Sequence, residues 1–418
     1  MKVKEFVKII NGSTPSSKHP EYYGGNIIWI TPKDLSDQKS KYINMGERTI
    51  TEAGYKSCSA QIIPPNNVLM SSRAPIGLLA INTVECCTNQ GFKSFIVDKS
   101  KCDIEYLYYY LKYHISEIEA LGSGTTFKEV SKNSIENYEV FLPSLEVQKQ
   151  VSKALSIIDS KIENNNRINS ELESMAKTIY DYWFTQFDFP DENGKPYKSS
   201  GGKMVWNEEL KREIPEGWGD TTLNRYIGRI TNGLNPRKNF VLGSGQNYYV
   251  TIKSLTGNDI NWEACDRCDD VALSKINARS KLQVGDVIFS AIGTIGRTFY
   301  IQEPPVNWNI SETSFTVRPN KDVPADFFYA LLNNDEIQIQ ADKKAMGSTL
   351  RCLVMDSFTA IPYIEIPCAI MQKFANVVKP MYNAIYKNNK QNRELTSIRD
   401  WLLPILMNGQ VGFKEKTK

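Results

Sequence analysis

The chain is organised around residues 145–187, LEVQKQVSKALSIIDSKIENNNRINSELESMAKTIYDYWFTQF. Apolar residues in this stretch recur in alternating steps of four and three, which is the spacing of a coiled-coil seam. Two asparagines fill the positions in the middle of the seam. The seam residues are Val151, Leu155, Ile158, Ile162, Asn165, Asn169, Leu172, Ala176, Ile179 and Trp183.

The same seam recurs towards the C-terminus at a constant offset of 223 residues (374 − 151). The second copy has two asparagines at the same two positions, and a matching polar pair is hard to ascribe to chance. The chain therefore contains two long helices with one seam pattern. The residues of the second copy are Phe374, Val378, Met381, Ile385, Asn388, Asn392, Leu395, Arg399, Leu402 and Leu406.

Buried asparagines weaken a coiled coil but fix its register and its partner. The polar pair straddles the midpoint of each seam, so an antiparallel arrangement places Asn165 against Asn392 and Asn169 against Asn388. A parallel arrangement also matches Asn to Asn, so the pattern alone leaves the direction open; we predict the antiparallel one. The alternative is two surface helices, each packed on its own domain. In the antiparallel pairing Val151 lies near Leu406, Leu155 near Leu402, and Trp183 near Phe374.

Length and composition are those of an ordinary multidomain globular protein. The 418 residues suffice for two or three domains, and 41% of them are hydrophobic and 23% charged. A formal net charge of +3 permits nucleic-acid binding without requiring it, so any basic surface must be local. No apolar run approaches the length of an export signal or a membrane span, which predicts a cytoplasmic protein that contacts no membrane.

The cysteines give no sign of a disulfide framework or a metal site. The eight cysteines lack framework spacing, which suits a reducing compartment. Cys265 and Cys268 form the only CxxC, with no second pair or nearby histidine to complete four ligands. We therefore expect no zinc there.

The globular parts of the chain are duplicated as well. Residues 67–82, NVLMSSRAPIGLLAIN, align with residues 286–301, DVIFSAIGTIGRTFYI, so that Gly77 corresponds to Gly296. Short β-prone runs separated by glycine and proline predict a mixed, mainly β domain in each half. Further aligned pairs are Gly12 with Gly233, Lys33 with Lys253, and Pro143 with Pro367.

The predicted fold is therefore α+β, an internal repeat with pseudo-two-fold symmetry. Two similar, mainly β globular domains are separated by two long antiparallel coiled-coil helices. The expected boundaries are 1–144 for the first globular domain, 145–187 for the central helix, 188–216 for a surface linker, 217–368 for the second globular domain, 369–408 for the C-terminal helix and 409–418 for a tail.

The sequence lacks the usual constellations of catalysis. His19 and His114 are the only histidines, and no GxxxxGK[ST] phosphate loop or Asn-Pro-Pro-aromatic stretch occurs. Scattered carboxylates are ordinarily solvated surface. We expect a chain that does no chemistry alone and needs no cofactor; the alternative, a self-contained nuclease or methyltransferase, would have to modify DNA without a partner.

Three stretches carry a family resemblance: residues 142–151, LPSLEVQKQV; residues 179–218, IYDYWFTQFDFPDENGKPYKSSGGKMVWNEELKREIPEGW; and residues 399–411, RDWLLPILMNGQV. With the duplicated domain-plus-helix plan, they closely resemble the specificity subunit of type I restriction-modification systems. The resemblance covers nearly the whole chain. One departure is Arg399, which places a charge where the first helix has Ala176, and which either extends outward or contacts a partner.

The resemblance implies a DNA-recognition subunit. In that family each globular domain is a target-recognition domain for double-stranded DNA, and the two antiparallel helices act as a spacer on which two methyltransferase subunits dock. The full complex adds two restriction subunits that translocate and cut DNA. A helix of 33 residues, 151–183, spans roughly 50 Å, which exceeds one turn of DNA. The two domains would then read the two parts of a bipartite, asymmetric site.

Base-reading residues do not carry over by motif, so we select them by chemistry. Sequence reading needs Lys, Arg, Asn, Gln, Ser and Thr on loops. For any one residue an exposed polar loop is at least as good an interpretation; Arg73 and Arg351 are the strongest individual candidates, because arginine pairs bidentately with guanine. The candidates are Lys18, Lys33, Arg73, Gln90, Lys93, Thr125 and Lys128 in the first domain, and Arg237, Lys238, Lys253, Arg297, Ser348 and Arg351 in the second.

A third function class remains open beside DNA reading and catalysis. The paired helices alone would also suit a coiled-coil interaction scaffold that makes no DNA contact. Salt dependence of DNA affinity separates the two, since phosphate contacts impose a steep negative slope.

Overall fold

The computed structural model describes residues 1–36, 38, 40–123, 128–237, 239–257, 259–348 and 350–410. The chain divides into two compact units. Unit 1 comprises Met1–Asn164 and Asn392–Lys418, and unit 2 comprises Asn165–Gln391. Two long helices, α6 (Leu145–Tyr180) and α11 (Cys368–Met407), are each divided between the two units.

Unit 1 is built mainly of strands with short helices between them. The strands are β1 (Val7–Asn11), β2 (Tyr23–Ile30), β3 (Tyr42–Ile43), β4 (Arg48–Ile50), β5 (Val68–Ser71), β6 (Leu79–Asn82), β7 (Cys87–Thr88) and β8 (Phe92–Val97). The helices are α1 (Pro32–Ser36), α2 (Glu52–Lys56), α3 (Ile104–Tyr113), α4 (Ile115–Ala120) and α5 (Lys132–Glu136).

Two sheets organise unit 1. The larger has the order β1-β8-β5-β6-β3, and the smaller has the order β4-β2-β7. Central strand β5 is buried along its whole length, as its unbroken run Val-Leu-Met-Ser indicates. Helix α3 begins after Asp103, because the Asp103 carboxylate accepts a hydrogen bond from the Tyr106 backbone N–H at 2.9 Å.

Unit 2 is likewise built mainly of strands with short helices between them. Its strands are β9 (Met204–Asn207), β10 (Arg212–Pro215), β11 (Gly219–Thr222), β12 (Ile227–Asn232), β13 (Asn247–Val250), β14 (Asp266–Cys268), β15 (Val287–Ser290), β16 (Thr298–Tyr300), β17 (Trp308–Ile310), β18 (Ser314–Pro319) and β19 (Pro362–Glu365). Its helices are α7 (Asp270–Ser280), α8 (Ala325–Asn333), α9 (Asp335–Lys344) and α10 (Met355–Thr359).

The sheets of unit 2 repeat those of unit 1. The order β12-β18-β15-β16 matches β1-β8-β5-β6, and β14-β13-β17 matches β4-β2-β7. Even the mixed pairing is kept, since β2 runs parallel to β7 and β13 runs parallel to β17, while both have an antiparallel strand on the other side. The predicted internal repeat is confirmed.

A pair of glycines shows how closely the backbones correspond. A Cβ added to Gly12 would lie 1.8 Å from the carbonyl oxygen of Asn89, and one added to Gly233 would lie 1.9 Å from that of Ile310. Both positions therefore admit only glycine, because the loops before β8 and β18 approach the chain at van der Waals contact. The alignment of these two glycines, made from the sequence, is confirmed.

The long helices are antiparallel in unit 1. Val151 and Leu155, near the start of α6, belong to the same buried cluster as Leu406 near the end of α11, with Leu402 packed against it. This is the predicted direction. Arg399 pairs with two carboxylates of unit 1: its Nη1 donates to Asp159 Oδ1 of α6 at 2.9 Å, and its Nε donates to Oδ1 of the adjacent Asp400 at 2.9 Å.

Unit 2 confirms the direction and the register. Asn388 Nδ2 donates to Asn169 Oδ1 at 2.8 Å, and the Trp183 and Phe374 rings lie 5.7 Å apart. Asn169 Nδ2 donates in turn to Asn389 Oδ1 at 2.7 Å. Asn165 donates to Gln391 at 2.9 Å, one residue before Asn392, so the amide layers extend beyond the predicted positions.

The globular part of unit 1 meets its helix segments through buried charges. Asp159 of α6 accepts a hydrogen bond from the Tyr109 hydroxyl at 2.5 Å as well as one from Arg399. Burial, and then this bond to Asp159, raise the pKa of Tyr109, so the hydroxyl stays protonated and donates. Lys41, only 5% exposed, lies 3.2 Å from Glu105 Oε2 and donates to Ser156 of α6 at 2.7 Å.

The corresponding contact in unit 2 is aromatic. Ala176 stands where the other helix has Arg399, and Tyr382 stands where the first helix has Asp159. The Tyr382 ring lies 5.0 Å from the Tyr329 ring. A pocket of about 370 Å³ lined in part by Ala176 and Tyr382 lies here, and a pocket of about 220 Å³ lined in part by Arg399 and Asp159 lies at the matching place in unit 1.

Residues 188–216 are not the plain surface linker that their Gly, Ser and Lys content suggested. They contain the hairpin β9–β10, and Asp188 is buried and accepts hydrogen bonds from the Ser199 N–H at 2.7 Å and its hydroxyl at 2.6 Å. The Phe189 ring stacks on Trp218 at 5.0 Å. Aromatic residues spaced through the segment therefore fasten it to the core of unit 2.

None of the helices in the described part of the chain is long and apolar enough to cross a lipid bilayer. The free thiols of Cys265 and Cys268 are both buried, in line with their place beside β14.

Candidate nucleic-acid interface

The turn after β5, residues 72–77, is held by one buried serine. Ser71 Oγ donates to the Pro75 carbonyl at 2.6 Å and accepts from the Leu78 N–H at 2.8 Å. The Gly77 N–H donates to the Ser71 carbonyl at 2.9 Å, and Gly77 has φ +91°, a value that favours glycine. This frame leaves Arg73, Ala74 and Pro75 exposed at the tip.

Unit 2 contains the same frame after β15. Ser290 Oγ donates to the Thr294 carbonyl at 2.7 Å and accepts from the Arg297 N–H at 2.7 Å. The Gly296 N–H donates to the Ser290 carbonyl at 3.0 Å, and Gly296 has φ +89°. The two turns therefore share backbone geometry, although their tips read SRAPIG and AIGTIG.

Two further loops are joined to the turn in unit 1. The Ser72 N–H donates to the Gly91 carbonyl at 2.7 Å, and the Val130 N–H donates to the Ser72 carbonyl at 3.0 Å. The Thr14 hydroxyl donates to Gln90 Oε1, which adds the loop after β1. The predicted Arg73, Gln90 and Lys128 are thus carried by loops that bond directly to one another.

The loops of unit 2 meet in the same way. The Ala291 N–H donates to the Thr313 carbonyl at 2.9 Å, and the Leu353 N–H donates to the Ala291 carbonyl at 2.8 Å. The Gly293 N–H donates to the Arg351 carbonyl at 2.8 Å. Each predicted set of loops therefore forms one surface within its own unit.

An ionic cluster lies under the turn of unit 1. Glu129 Oε2 accepts from Arg73 Nε at 2.9 Å, and Glu129 Oε1 accepts from Lys93 Nζ at 3.1 Å. Burial alone would raise the pKa of Glu129, but the hydrogen bonds and charges of Lys93 and Arg73 outweigh it and hold that pKa below its usual value. The carboxylate is therefore ionised at neutral pH and links the two cations.

Lys93 does not suit the role of a DNA contact that its sequence position suggested. Its side chain is only 6% exposed, because strand β8 turns it inward towards Glu129. Arg73 differs, with a side chain 47% exposed. Of these two predicted residues, only Arg73 reaches the surface.

The arginines of unit 2 are held differently. Arg351 Nη1 donates to Asp342 Oδ1 and its Nη2 donates to the Asp342 carbonyl, so both terminal nitrogens are occupied. Arg297 Nη1 donates to the carbonyls of Ile252 at 3.2 Å and Leu255 at 3.4 Å, on either side of the predicted Lys253. These contacts place Arg297 and Lys253 on neighbouring loops.

The remaining predicted side chains that the structure describes lie at the surface of their units. Lys33 forms an exposed ion pair with Glu47 at 2.7 Å. Thr125 and Lys238 fall outside the described residues. Exposed positions among the predictions are Lys18, Gln90, Lys128, Arg237, Lys253 and Ser348.

Sequence reasoning missed the carboxylates that orient the two leading arginines. Glu129 lies 56 residues from Arg73, and Asp342 lies nine residues from Arg351 at the end of a different element. No local pattern links either pair, because the contacts depend on how loops meet in the folded unit. For Glu129 the sequence gives one signal, the alternation of polar and apolar residues in EVS at residues 129–131, which directs Glu129 away from the side of buried Val130.

Comparisons with known proteins agree on one family. Residues 1–174 match the family model described as "Type I restriction modification DNA specificity domain". The Type I restriction enzyme MjaIX specificity subunit of Methanocaldococcus jannaschii is 33% identical over 418 residues, covering 99% of this chain and 93% of that protein. The Type I restriction enzyme HindI specificity subunit of Haemophilus influenzae is 21% identical over 68% of this chain and 72% of its own length.

A solved structure shows the same fold. The crystal structure of a type I restriction-modification S subunit from M. genitalium superposes with a TM-score of 0.59 at 16% identity, covering 97% of this chain and 95% of that one.

Proposed function

Because the chain belongs to the family of type I restriction-modification specificity subunits, we propose that it reads a bipartite, asymmetric site on double-stranded DNA, with one recognition surface in each unit. It is the non-catalytic subunit of its complex. One observation carries the proposal: in each unit the loops chosen for DNA-reading chemistry are joined by hydrogen bonds into one surface on the same backbone frame.

The exposed groups on these loops suit both parts of DNA recognition. Lysines such as Lys18 and Lys128 supply charge for phosphates, and amide and guanidinium groups such as those of Gln90 and Arg73 match base edges. The surfaces differ in side chains between the units while their backbones agree. Different side chains on one frame explain how a duplicated chain reads two unlike half-sites.

Exchange of residues 1–144 for the equivalent domain of another specificity subunit tests this reading. In a complex with methyltransferase subunits, the methylated site should change in one half only, and adenine methylation mapped by single-molecule sequencing reports the change. A change in both halves, or in neither, contradicts the proposal.

Salt dependence separates DNA reading from a scaffold without DNA contact. Affinity of the assembled complex for its mapped site should fall steeply between about 50 and 200 mM salt, because phosphate contacts release counterions. A flat dependence would favour the scaffold.

The helices also offer matching apolar positions for two copies of one partner. Met175 of α6 is 51% exposed and Ile398 of α11 is 48% exposed, and the two residues are equivalent at the seam offset of 223 (398 − 175). Trp401, one turn beyond Ile398, is 66% exposed. We propose that these faces dock the two methyltransferase subunits, since exposed apolar residues repeated at equivalent positions suit identical partners.

Single substitutions distinguish two equivalent docking faces from one. Met175→Glu and Ile398→Glu should each leave a complex with one methyltransferase subunit, and the double variant should leave none, as measured by native mass spectrometry. Lys161→Glu, on an exposed polar position of α6, is the matched control and should retain two. Two subunits bound to the double variant would rule these faces out.

A further inference from the structure

We propose that Arg73 reads a guanine in the half-site of unit 1, and that Glu129 is the positioning residue that presents it. The inference rests on the proposed function and names the side chain that carries part of its specificity. It follows from the contacts of the ionic cluster and from their absence at the matching place in unit 2.

The guanidinium of Arg73 is held by one edge. Its Nε donates to Glu129 Oε2 at 2.9 Å, and its terminal Nη1 and Nη2 have no hydrogen-bond or ion-pair partner among the residues that the structure describes. Those two nitrogens form the fork that pairs with O6 and N7 of guanine. The arginine is therefore oriented before DNA arrives, and its reading edge is free.

Glu129 is itself fixed from below. Its second oxygen accepts from Lys93, whose side chain is 6% exposed, and its backbone bridges to Arg73 and to Ser123. A carboxylate anchored on both oxygens has little freedom to rotate. Because fixing a long side chain before binding reduces the entropy lost on binding, this arrangement favours a specific contact by Arg73.

The carboxylate also favours a base over a phosphate. A phosphate placed on Arg73 would bring a second anion close to Glu129, which is ionised at neutral pH. The guanine edge presents neutral acceptors and incurs no such repulsion. Glu129 therefore directs Arg73 away from the DNA backbone and towards the major-groove edge of a base pair.

None of the three charged residues of this cluster, Arg73, Glu129 and Lys93, has a charged equivalent in unit 2. Ile292 stands at the position of Arg73, Cys352 at that of Glu129 and Phe315 at that of Lys93, each by the equivalence of the hydrogen-bonded frame. Arg351 does not replace Arg73, because both of its terminal nitrogens donate to Asp342 and are turned towards that residue. The guanine reading is accordingly assigned to the half-site of unit 1 only.

The test measures the base preference of the whole complex. Two pools of duplexes, each with one of the two half-sites randomised, are methylated by the chain with its methyltransferase subunits and S-adenosylmethionine, and the methylated fraction of each pool is sequenced. For Arg73→Ala, preference for guanine at one position of one half-site should fall about 5- to 150-fold, since a bidentate pair discriminates by about 1–3 kcal/mol. Preferences in the other half-site should stay unchanged.

Three variants separate positioning from structure. Arg73→Lys keeps the charge but loses the fork, so guanine preference should fall while the salt dependence of binding stays the same. Glu129→Gln should lower the guanine preference and raise affinity for unrelated DNA, whereas Glu129→Asp should restore part of the preference. Urea unfolding of each variant identifies those that are merely destabilised. A matched control, Arg351→Lys, should leave the guanine preference of the unit 1 half-site as it is.

The outcomes distinguish this inference from the function on which it rests. If exchange of residues 1–144 alters one half-site but Arg73→Ala leaves every base preference intact, the guanine assignment is wrong and the proposed function stands. If the exchange alters neither half-site, the proposed function fails first. If Glu129→Gln behaves like the native chain while Arg73→Ala does not, Arg73 reads the base without the help of Glu129.

Discussion

The two units share a backbone frame and differ in what it carries. Ser71 and Ser290 hold their turns with the same pattern of hydrogen bonds, yet the side chains under the first turn are ionic and those at the matching places of the second are apolar or a thiol. The difference shows that the two units share the backbone support of the proposed recognition surface but not the side chains that it carries.

The contrast extends to the contact of each globular part with its helix segments. Unit 1 uses Asp159, Arg399 and Tyr109, and unit 2 uses Tyr382 and Tyr329 around a larger cavity. Removal of one partner from a buried ion pair leaves a buried charge and is strongly destabilising. Removal of a polar group from an aromatic contact leaves no such charge. Unit 1 should therefore respond more strongly to substitution at this place.

We expect the largest effect from Asp159→Ala. Removal of the carboxylate leaves Arg399, 16% exposed, with only the half-exposed Asp400 as ion-pair partner and takes the acceptor from the Tyr109 hydroxyl, so the free energy of unfolding should fall by about 3 kcal/mol. Tyr382→Phe, at the equivalent position of unit 2, should cost about 1 kcal/mol or less, since no hydrogen bond of that hydroxyl occurs among the described residues. Urea unfolding, with hydrogen exchange used to report on each unit separately, measures the loss of stability of both variants.

A double variant checks the cause of that asymmetry. Asp159→Ala with Arg399→Ala should be less destabilised than Asp159→Ala alone, because no unpaired buried charge remains. Equal losses in the single and double variants would mean that the ion pair is not the source.

Gly12→Ala and Gly233→Ala test the shared frame itself. Each new Cβ would lie within 2 Å of a carbonyl oxygen, at 1.8 and 1.9 Å respectively, so the chain must move. Each substitution should destabilise its own unit by about 1–3 kcal/mol or somewhat more. The two losses should be similar, and tolerance of one glycine substitution but not the other would break the equivalence of the frames.

Ser71→Ala and Ser290→Ala should have smaller, matched effects. Either change leaves a backbone carbonyl and an N–H of the turn without their partner, at a cost of about 1–2 kcal/mol. Thermal unfolding of the two variants should show similar losses. Ser200→Ala, which removes an exposed hydroxyl in the segment 188–216, is the control and should leave the unfolding temperature unchanged.

The smallest effect is a pH dependence confined to unit 1. The pKa of Glu129 is lowered in the folded chain, so its contribution to stability is present above the unfolded value of about 4.3 and is lost as the pH falls through the lower folded value. Native chain and Glu129→Gln should differ in urea midpoint at pH 6 and converge towards pH 3. A difference that grows in acid contradicts the sign of the shift.

Much of the fold could be predicted because periodicity and repetition are properties of the sequence. The seam and its offset predicted the antiparallel helices, and the contact between Asn388 and Asn169 confirms their register. The structure of residues 188–216 could not be predicted, since Gly, Ser and Lys also surround a hairpin when aromatic residues such as Phe189 pack on the core.

The candidate surface was predicted at the level of loops more than of side chains. The loops carrying Arg73 and Gln90 were selected by residue type, and the Ser72 N–H joins them by donating to the Gly91 carbonyl. The inward direction of Lys93 and the pairing of Arg73 with Glu129 depend on strand facing and on contacts between distant segments. A charged residue in a short strand gives no local indication of which way it points.

Ser71, the last residue of β5, forms hydrogen bonds with both ends of its turn. The exposed residues between those ends can therefore be exchanged without changing the backbone of the turn. The exposed residues 73–75 can change while Ser71 and Gly77 keep the opening and closing bonds. Under the proposed function, new DNA sequences could be recognised by changing these side chains alone. The exposed residues of one turn should likewise be transferable to the equivalent turn of the other unit.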